Sequence, residues 1–171
     1  MKIDQKPNIS AMGFSVEDFF FSSLQEEIAV DELCIRLLRD FCRDLAERHG
    51  MDPRKAGKKA LGADYFLRDF VVSDRRLNIF KVTAHEITAF AGNWYIMKNL
   101  DPDIRELTGI LDGVEDFYRF CLEAGKITAE RFRELAAACG RTDYYGQRIE
   151  DFWAIEDDGF IAWNAACPLP E

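Results

Sequence analysis

Apolar residues recur at steps of three and four along most of the chain, with polar residues between them, which is the period of helices that each bury one face. The longest run, Val30, Leu33, Cys34, Leu37, Leu38, Phe41, Cys42 and Leu45, follows Ser23-Leu-Gln-Glu26, whose serine and glutamate have capping-box spacing. It predicts a long first helix ending near Gly50. Asp52-Pro53 then supplies an N-cap and a proline at the first helical position, and Ala56, Ala60, Ala63, Leu67, Phe70 and Val71 mark the buried stripe of a second helix. Asp74 to Val82 reads as an irregular connection. Thr83-Ala-His-Glu86 is another capping box, with Ile87, Phe90, Ala91, Trp94 and Met97 behind it. Asp101-Pro102 repeats the Asp-Pro start, and the stripe Ile104, Leu107, Leu111, Val114, Tyr118 and Cys121 predicts a fourth helix stopped by Gly125. Thr128 caps a short helix to Gly140, and Asp143 opens a last one carrying Ile149, Phe152 and Trp153. No convincing strand appears. The expected fold is an all-α, single-domain multi-helix bundle over residues 1–171, with a core at about 24–127 and short helices plus an apolar tail at 128–171.

Composition supports a filled core rather than disorder, since 171 residues with fourteen Phe suffice for one domain without staples. The five cysteines show no CxxC or zinc-ligand spacing, and four lie on apolar stripes, so they read as small core hydrophobes of a reduced compartment. Met1 to Met12 lacks an apolar signal region, and no run of about 18 apolar residues occurs. The expectation is a cytoplasmic protein with no membrane association.

Charge changes the picture in one place. Between Met51 and Val82 the chain holds eight Lys/Arg against four acids, a local excess of +4 in a chain whose formal net charge is −9. A charge concentrated against such a background points to a partner. At 100° per residue, Lys55, Lys58 and Lys59 fall opposite the buried stripe of the second helix and point outward together. With Arg54, Arg75 and Arg76 they form the candidate binding set for a protein or for nucleic acid. The acidic remainder disfavours general binding to DNA or anionic lipid, whose phosphates it repels.

Chemical motifs are sparse. His49 and His85 lack the Glu three residues earlier that a di-iron bundle uses, and no GxGxxG, GxxxxGK[ST], HExxH or GxSxG occurs. Glu150, Asp151, Glu156, Asp157 and Asp158 lack EF-hand spacing and read as a solvated face. His85 beside Glu86 reads as a capping-region histidine before a general base, and Tyr144-Tyr145 as core before a stacking platform. No catalytic residue, metal ligand or cofactor is assigned.

The order of these elements carries a resemblance. A helix ending Phe41-Cys-Arg-Asp-Leu45 is followed by Tyr65-Phe-Leu-Arg-Asp-Phe70, then by Val82-Thr83 and a helix with Phe90 and Trp94, and finally by Phe117-Tyr-Arg-Phe-Cys-Leu-Glu-Ala-Gly125-Lys-Ile127. From about Asp31 to Ile127 the chain resembles the N-terminal core-binding domain of tyrosine recombinases and integrases, a SAM-like helical bundle that clasps DNA. The resemblance implies that the basic second helix is where nucleic acid would be touched. Recombination chemistry is not expected of residues 1–171, because neither histidine begins His-x-x-Arg and Thr128-Ala129 leads into two short helices. Asp112, Glu115, Asp116 and Glu123 along the fourth helix run against a DNA clamp.

Two apolar ends remain: Phe14 with Phe19, Phe20 and Phe21, and Phe160, Ile161, Trp163 and Cys167. They either pack on the chain's own bundle or form an interface in a homo-oligomer or with another protein, with Phe19, Phe20, Phe21, Phe160 and Trp163 as anchors. The sequence thus leads to a non-catalytic helical binding or scaffolding module that engages another protein or itself. Nucleic-acid binding through the second helix is the alternative, and an unrecognised enzyme the third reading.

Overall fold

Ser23 begins the first helix as its spacing requires: its hydroxyl accepts the Glu26 N–H at 3.1 Å, and the Glu26 carboxylate accepts the Ser23 N–H at 3.3 Å. The computed structural model describes residues 15–169, and Phe14 lies outside them. Helix α1, Leu24–Glu47, buries Val30, Cys34, Leu37, Leu38, Phe41 and Leu45. Asp52 then caps α2, Pro53–Asp64, by accepting the N–H groups of Arg54 at 3.0 Å and Lys55 at 3.3 Å. This helix does not stop at Asp64. It continues as a π-helix, Tyr65–Asp74, where the Arg75 N–H reaches back five residues to the Phe70 carbonyl at 2.8 Å.

A second π segment, Phe90–Trp94, joins α3, Ala84–Ala89, to α4, Tyr95–Lys98. The two π segments meet through aromatic rings. Phe66 and Phe90 lie 5.1 Å apart edge to face, and Phe70 and Trp94 lie 5.4 Å apart. The expected irregular connection from Asp74 to Val82 is met after Asp74, which still belongs to the π-helix, and it is broken by one short 3-10 turn, Ile79–Lys81.

Helix α5, Ile104–Glu123, packs against α2 and a short α6, Ala129–Cys139, and reaches α1 through the Phe117 ring, edge-on to Phe41 at 5.6 Å. It buries Leu107, Leu111, Val114, Phe117, Tyr118 and Cys121 along one stripe. Its start differs from the Asp101-Pro102 expectation: Asp103 is the N-cap, accepting from Arg105 N–H at 2.7 Å and Glu106 N–H at 3.0 Å. The cause is tertiary. The Tyr95 hydroxyl accepts the Asp103 N–H at 3.1 Å and donates to the Asp103 carbonyl at 3.2 Å, holding that residue extended just outside the helix.

Helix α7, Thr142–Trp153, begins one residue before the expected Asp143, and the region read as an apolar tail forms α8, Phe160–Ala166. Asn93 in the second π segment donates to the Asn164 side chain at 2.8 Å and to the Cys167 carbonyl at 2.7 Å, which fixes the chain end to the bundle. At the other end Asn78 donates to the Val16 carbonyl at 2.9 Å, and Phe19 stands edge-on to Phe80 at 4.9 Å. The described residues are all-helical, with no strand, and none of their helices is long and apolar enough to cross a membrane.

Candidate functional site: the groove between α2 and α5

Helices α2 and α5 cross with their backbones in contact. A Cβ added to Gly62 would lie 2.9 Å from the Ile110 Cα, and one added to Gly113 would press on the Lys59 carbonyl. Only glycine permits that approach. Because α5 comes so close, the face carrying Lys55, Lys58 and Lys59 is not simply the solvent face that helical periodicity predicts. It borders an open groove of about 730 Å³ between the two helices.

The groove has an apolar wall and a charged rim. Leu61, 69% exposed, stands on α2 above it, and Tyr65 and Ile110 line it further in. Asn99 donates to the Tyr65 hydroxyl at 3.2 Å, so the phenol keeps its own proton to give; burial sets its pKa above the ordinary tyrosine value, against the lowering by that hydrogen bond. Lys55, Lys58 and Arg105 sit on the rim, exposed, and among the described residues none of them makes an ion pair. Glu106 and Asp112 add two acids to the same lining.

The structure divides the basic set that the sequence groups together. Lys59 is half-buried and paired to Asp116 at 2.6 Å, so its charge is used inside the chain. Arg54 is exposed at the start of α2. Arg75 pairs with its neighbour Asp74 at 2.7 Å, and Arg76 bonds Glu27 while its guanidinium covers the Phe21 ring at 5.1 Å. Neither Arg75 nor Arg76 borders the groove. Arg68, outside the predicted set, ties α1 to the π-helix through Asp31 at 2.8 Å and Asp64 at 3.0 Å.

The apolar anchors divide as well. Phe19 and Trp163 are buried, which removes them from an interface. Phe19 is held by the Phe80 contact, and the Trp163 indole N–H donates to the Arg148 carbonyl at 3.0 Å. Phe21 is half-buried under Arg76, whereas Phe20 and Phe160 remain exposed. Sequence reasoning missed Leu61, Tyr65, Asn99 and Arg105 as one site, because they come from the α2–π-helix run, the extended residue after α4 and the first turn of α5.

Of the other candidates, Glu86 accepts the Thr83 N–H at 2.7 Å as a cap, and His85 beside it is exposed. Tyr145 is buried and donates to the Ala138 carbonyl at 2.6 Å. Asp44, His49 and Glu123 bring three ligand atoms within 4.8 Å of one another where α1 and α5 end. The Arg48 guanidinium already bonds both carboxylates, with Nε 3.2 Å from Asp44, and supplies the positive charge that a cation would bring. Compared with protein-family models, curated proteins and solved structures, the chain matches none of them.

Proposed function

We propose that this chain is a non-catalytic binding module whose α2/α5 groove receives an acidic, amphipathic segment of a protein. The observation that carries the reading is the contrast within the basic set: Lys59, Arg75 and Arg76 are spent on internal acids, while Lys55 and Lys58, joined by Arg105 of α5, make no ion pair among the described residues and stand around an apolar wall. An amphipathic helix or strand buries its apolar side on such a wall and sets its carboxylates against the rim. The Tyr65 proton adds a directed donor for a carboxylate. Opposite charges on the rim mainly raise the association rate and fix the register, while the apolar contact carries the affinity.

Nucleic acid is the weaker reading of the same cations. It draws support from the exposed run Arg54, Lys55 and Lys58, and from the resemblance of the helix order to a recombinase core-binding domain noted in the sequence. Glu106 and Asp112, however, line the same groove and repel a phosphate backbone. Fluorescence anisotropy separates the two readings, using a labelled helical peptide with Glu and Asp on one face and Leu on the other, and in parallel a labelled duplex DNA. Peptide binding weakened about tenfold by Lys55→Glu with Lys58→Glu is expected. Absence of peptide binding together with DNA binding that falls steeply with salt would hand the site to nucleic acid.

A further inference from the structure

A second surface of this chain has the character the groove selects for. Four rings run in series where α7 and α8 meet: Trp153 to Phe152 at 5.7 Å, Phe152 to Trp163 at 5.1 Å, and Trp163 to Phe160 at 5.9 Å. Trp163 is buried and Phe152 half-buried, but Trp153 is 57% exposed, Phe160 38% and, beside it on α8, Ile161 74%. The turn joining these helices carries Glu156, Asp157 and Asp158, all exposed and without an ion pair among the described residues. The segment Ala154–Gly159 therefore presents carboxylates between large apolar groups that the bundle does not cover.

We infer that the occupant of the α2/α5 groove is this acidic aromatic end of a second copy of the chain. The inference rests on the groove reading above and adds its partner. Charge complementarity carries it: Lys55, Lys58 and Arg105 face Glu156, Asp157 and Asp158, and Leu61 with Ile110 face Ile161 and Trp153. Because the two surfaces are different patches of one molecule, the contact is heterologous. It grows head to tail or closes into a ring according to the rotation between copies.

Another acidic apolar surface among the described residues is a cavity of about 470 Å³ between α1 and the first π-helix lined by Leu24, Ile28, Asp31 and Glu32. It is concave, and a concave surface laid on a concave groove leaves its apolar groups apart. The α7–α8 end, where Trp153 and Ile161 stand exposed to solvent, does not have that difficulty.

Sedimentation velocity of the full chain from micromolar to millimolar concentration tests the inference. Mass rising with concentration is expected, and either Lys55→Glu with Lys58→Glu or Glu156→Lys with Asp158→Lys should return it to the monomer. Combining all four substitutions in one chain should restore association, which damaged folding cannot do. Asp157 is left alone because its φ of 50° suits Asp and not Lys. Ile161→Asp, at an exposed position, should weaken association about tenfold or more. The inference is overturned if the four-substitution chain stays monomeric, or if Ile28→Asp rather than Ile161→Asp dissolves the assembly. A wild-type chain that stays monomeric throughout overturns it too. If that monomer still binds the acidic peptide, the groove reading survives; if it does not, both fall.

Discussion

Replacing Gly113 by alanine tests whether the α2/α5 crossing is as close as described, and with it the floor of the groove. At an open position within a helix, alanine is favoured over glycine by about 1 kcal/mol. At Gly113 the added methyl would lie 3.1 Å from both the Lys59 carbonyl carbon and its Cα, and closer still to the carbonyl oxygen. All three are backbone atoms, so no side-chain rotation relieves the contact. Helix α2 has to retreat by about 1 Å, a gap at which dispersion contacts across the interface lose up to half of their depth. Overpacking of this kind costs about 3 kcal/mol at the upper end of its usual range. Set against the propensity gain, the net destabilisation is about 2 kcal/mol, which for a chain of this length lowers Tm by about 4–8 °C. Gly109, one turn earlier in the same helix, is the internal control, since an added Cβ there meets nothing within 4 Å. Gly109→Ala should leave stability unchanged or raise it by up to about 1 kcal/mol. Urea unfolding followed by circular dichroism reads both variants. A Gly113→Ala protein as stable as the parent, or an equal loss at both positions, would refute the reasoning.

Arg148 is buried, donates to the Gly92 carbonyl at 2.8 Å and stacks 4.0 Å from the Trp163 ring. Arg148→Ala should cost about 3 kcal/mol in urea unfolding and should alter the tryptophan emission of the native state. Burial pushes the Tyr95 and Tyr145 hydroxyls up to about 12, from an ordinary value of 10.0. Above pH 10 the unfolded chain therefore loses protons that the native chain keeps, so stability should fall as pH rises past 10, and Tyr95→Phe should flatten that fall. Among the five thiols Cys42 is the half-buried one, and burial raises the pKa of Cys34, Cys121 and Cys139. Ellman's reagent should react first with Cys42, and Cys42→Ser should remove the fast phase.

Helix starts were legible wherever a local bond sets them. Ser23, Asp52, Thr83 and Thr128 all cap as the spacing predicts, because each satisfies N–H groups within three residues of itself. The apparent Asp101-Pro102 start failed because Tyr95, from another helix, holds Asp103 as the cap, and no local pattern contains that bond. The π segments were hidden for a related reason. A count at 3.6 residues per turn still scores Phe66, Phe70, Phe90 and Trp94 as apolar, and only their packing against one another reveals the wider turn. At the chain ends apolar character alone could not separate Phe19 from Phe20 or Trp163 from Phe160. One member of each pair is buried against the bundle and the other faces out.

The basic segment shows most plainly what a charge count leaves open. Its excess of four positive charges was visible in the chain, but the count weighs Arg68 and Lys58 alike. Geometry does not. Arg68 and Lys59 lie within 3 Å of carboxylates on other turns or helices, and there they hold α1, the π-helix and α5 together. Lys55 and Lys58 project from the first turns of α2, where no acid of the described fold reaches them. Salt screens every exposed charge beyond about 10 Å, so a partner responds to the patch of surface it approaches: cationic at the groove rim, acidic over much of the rest of a chain whose net charge is −9. A diffuse polyanion meets mainly the repulsion. A compact segment that brings a few carboxylates and an apolar side chain into the groove meets the attraction, which is why the partner proposed above is an acidic amphipathic surface and not a phosphate backbone.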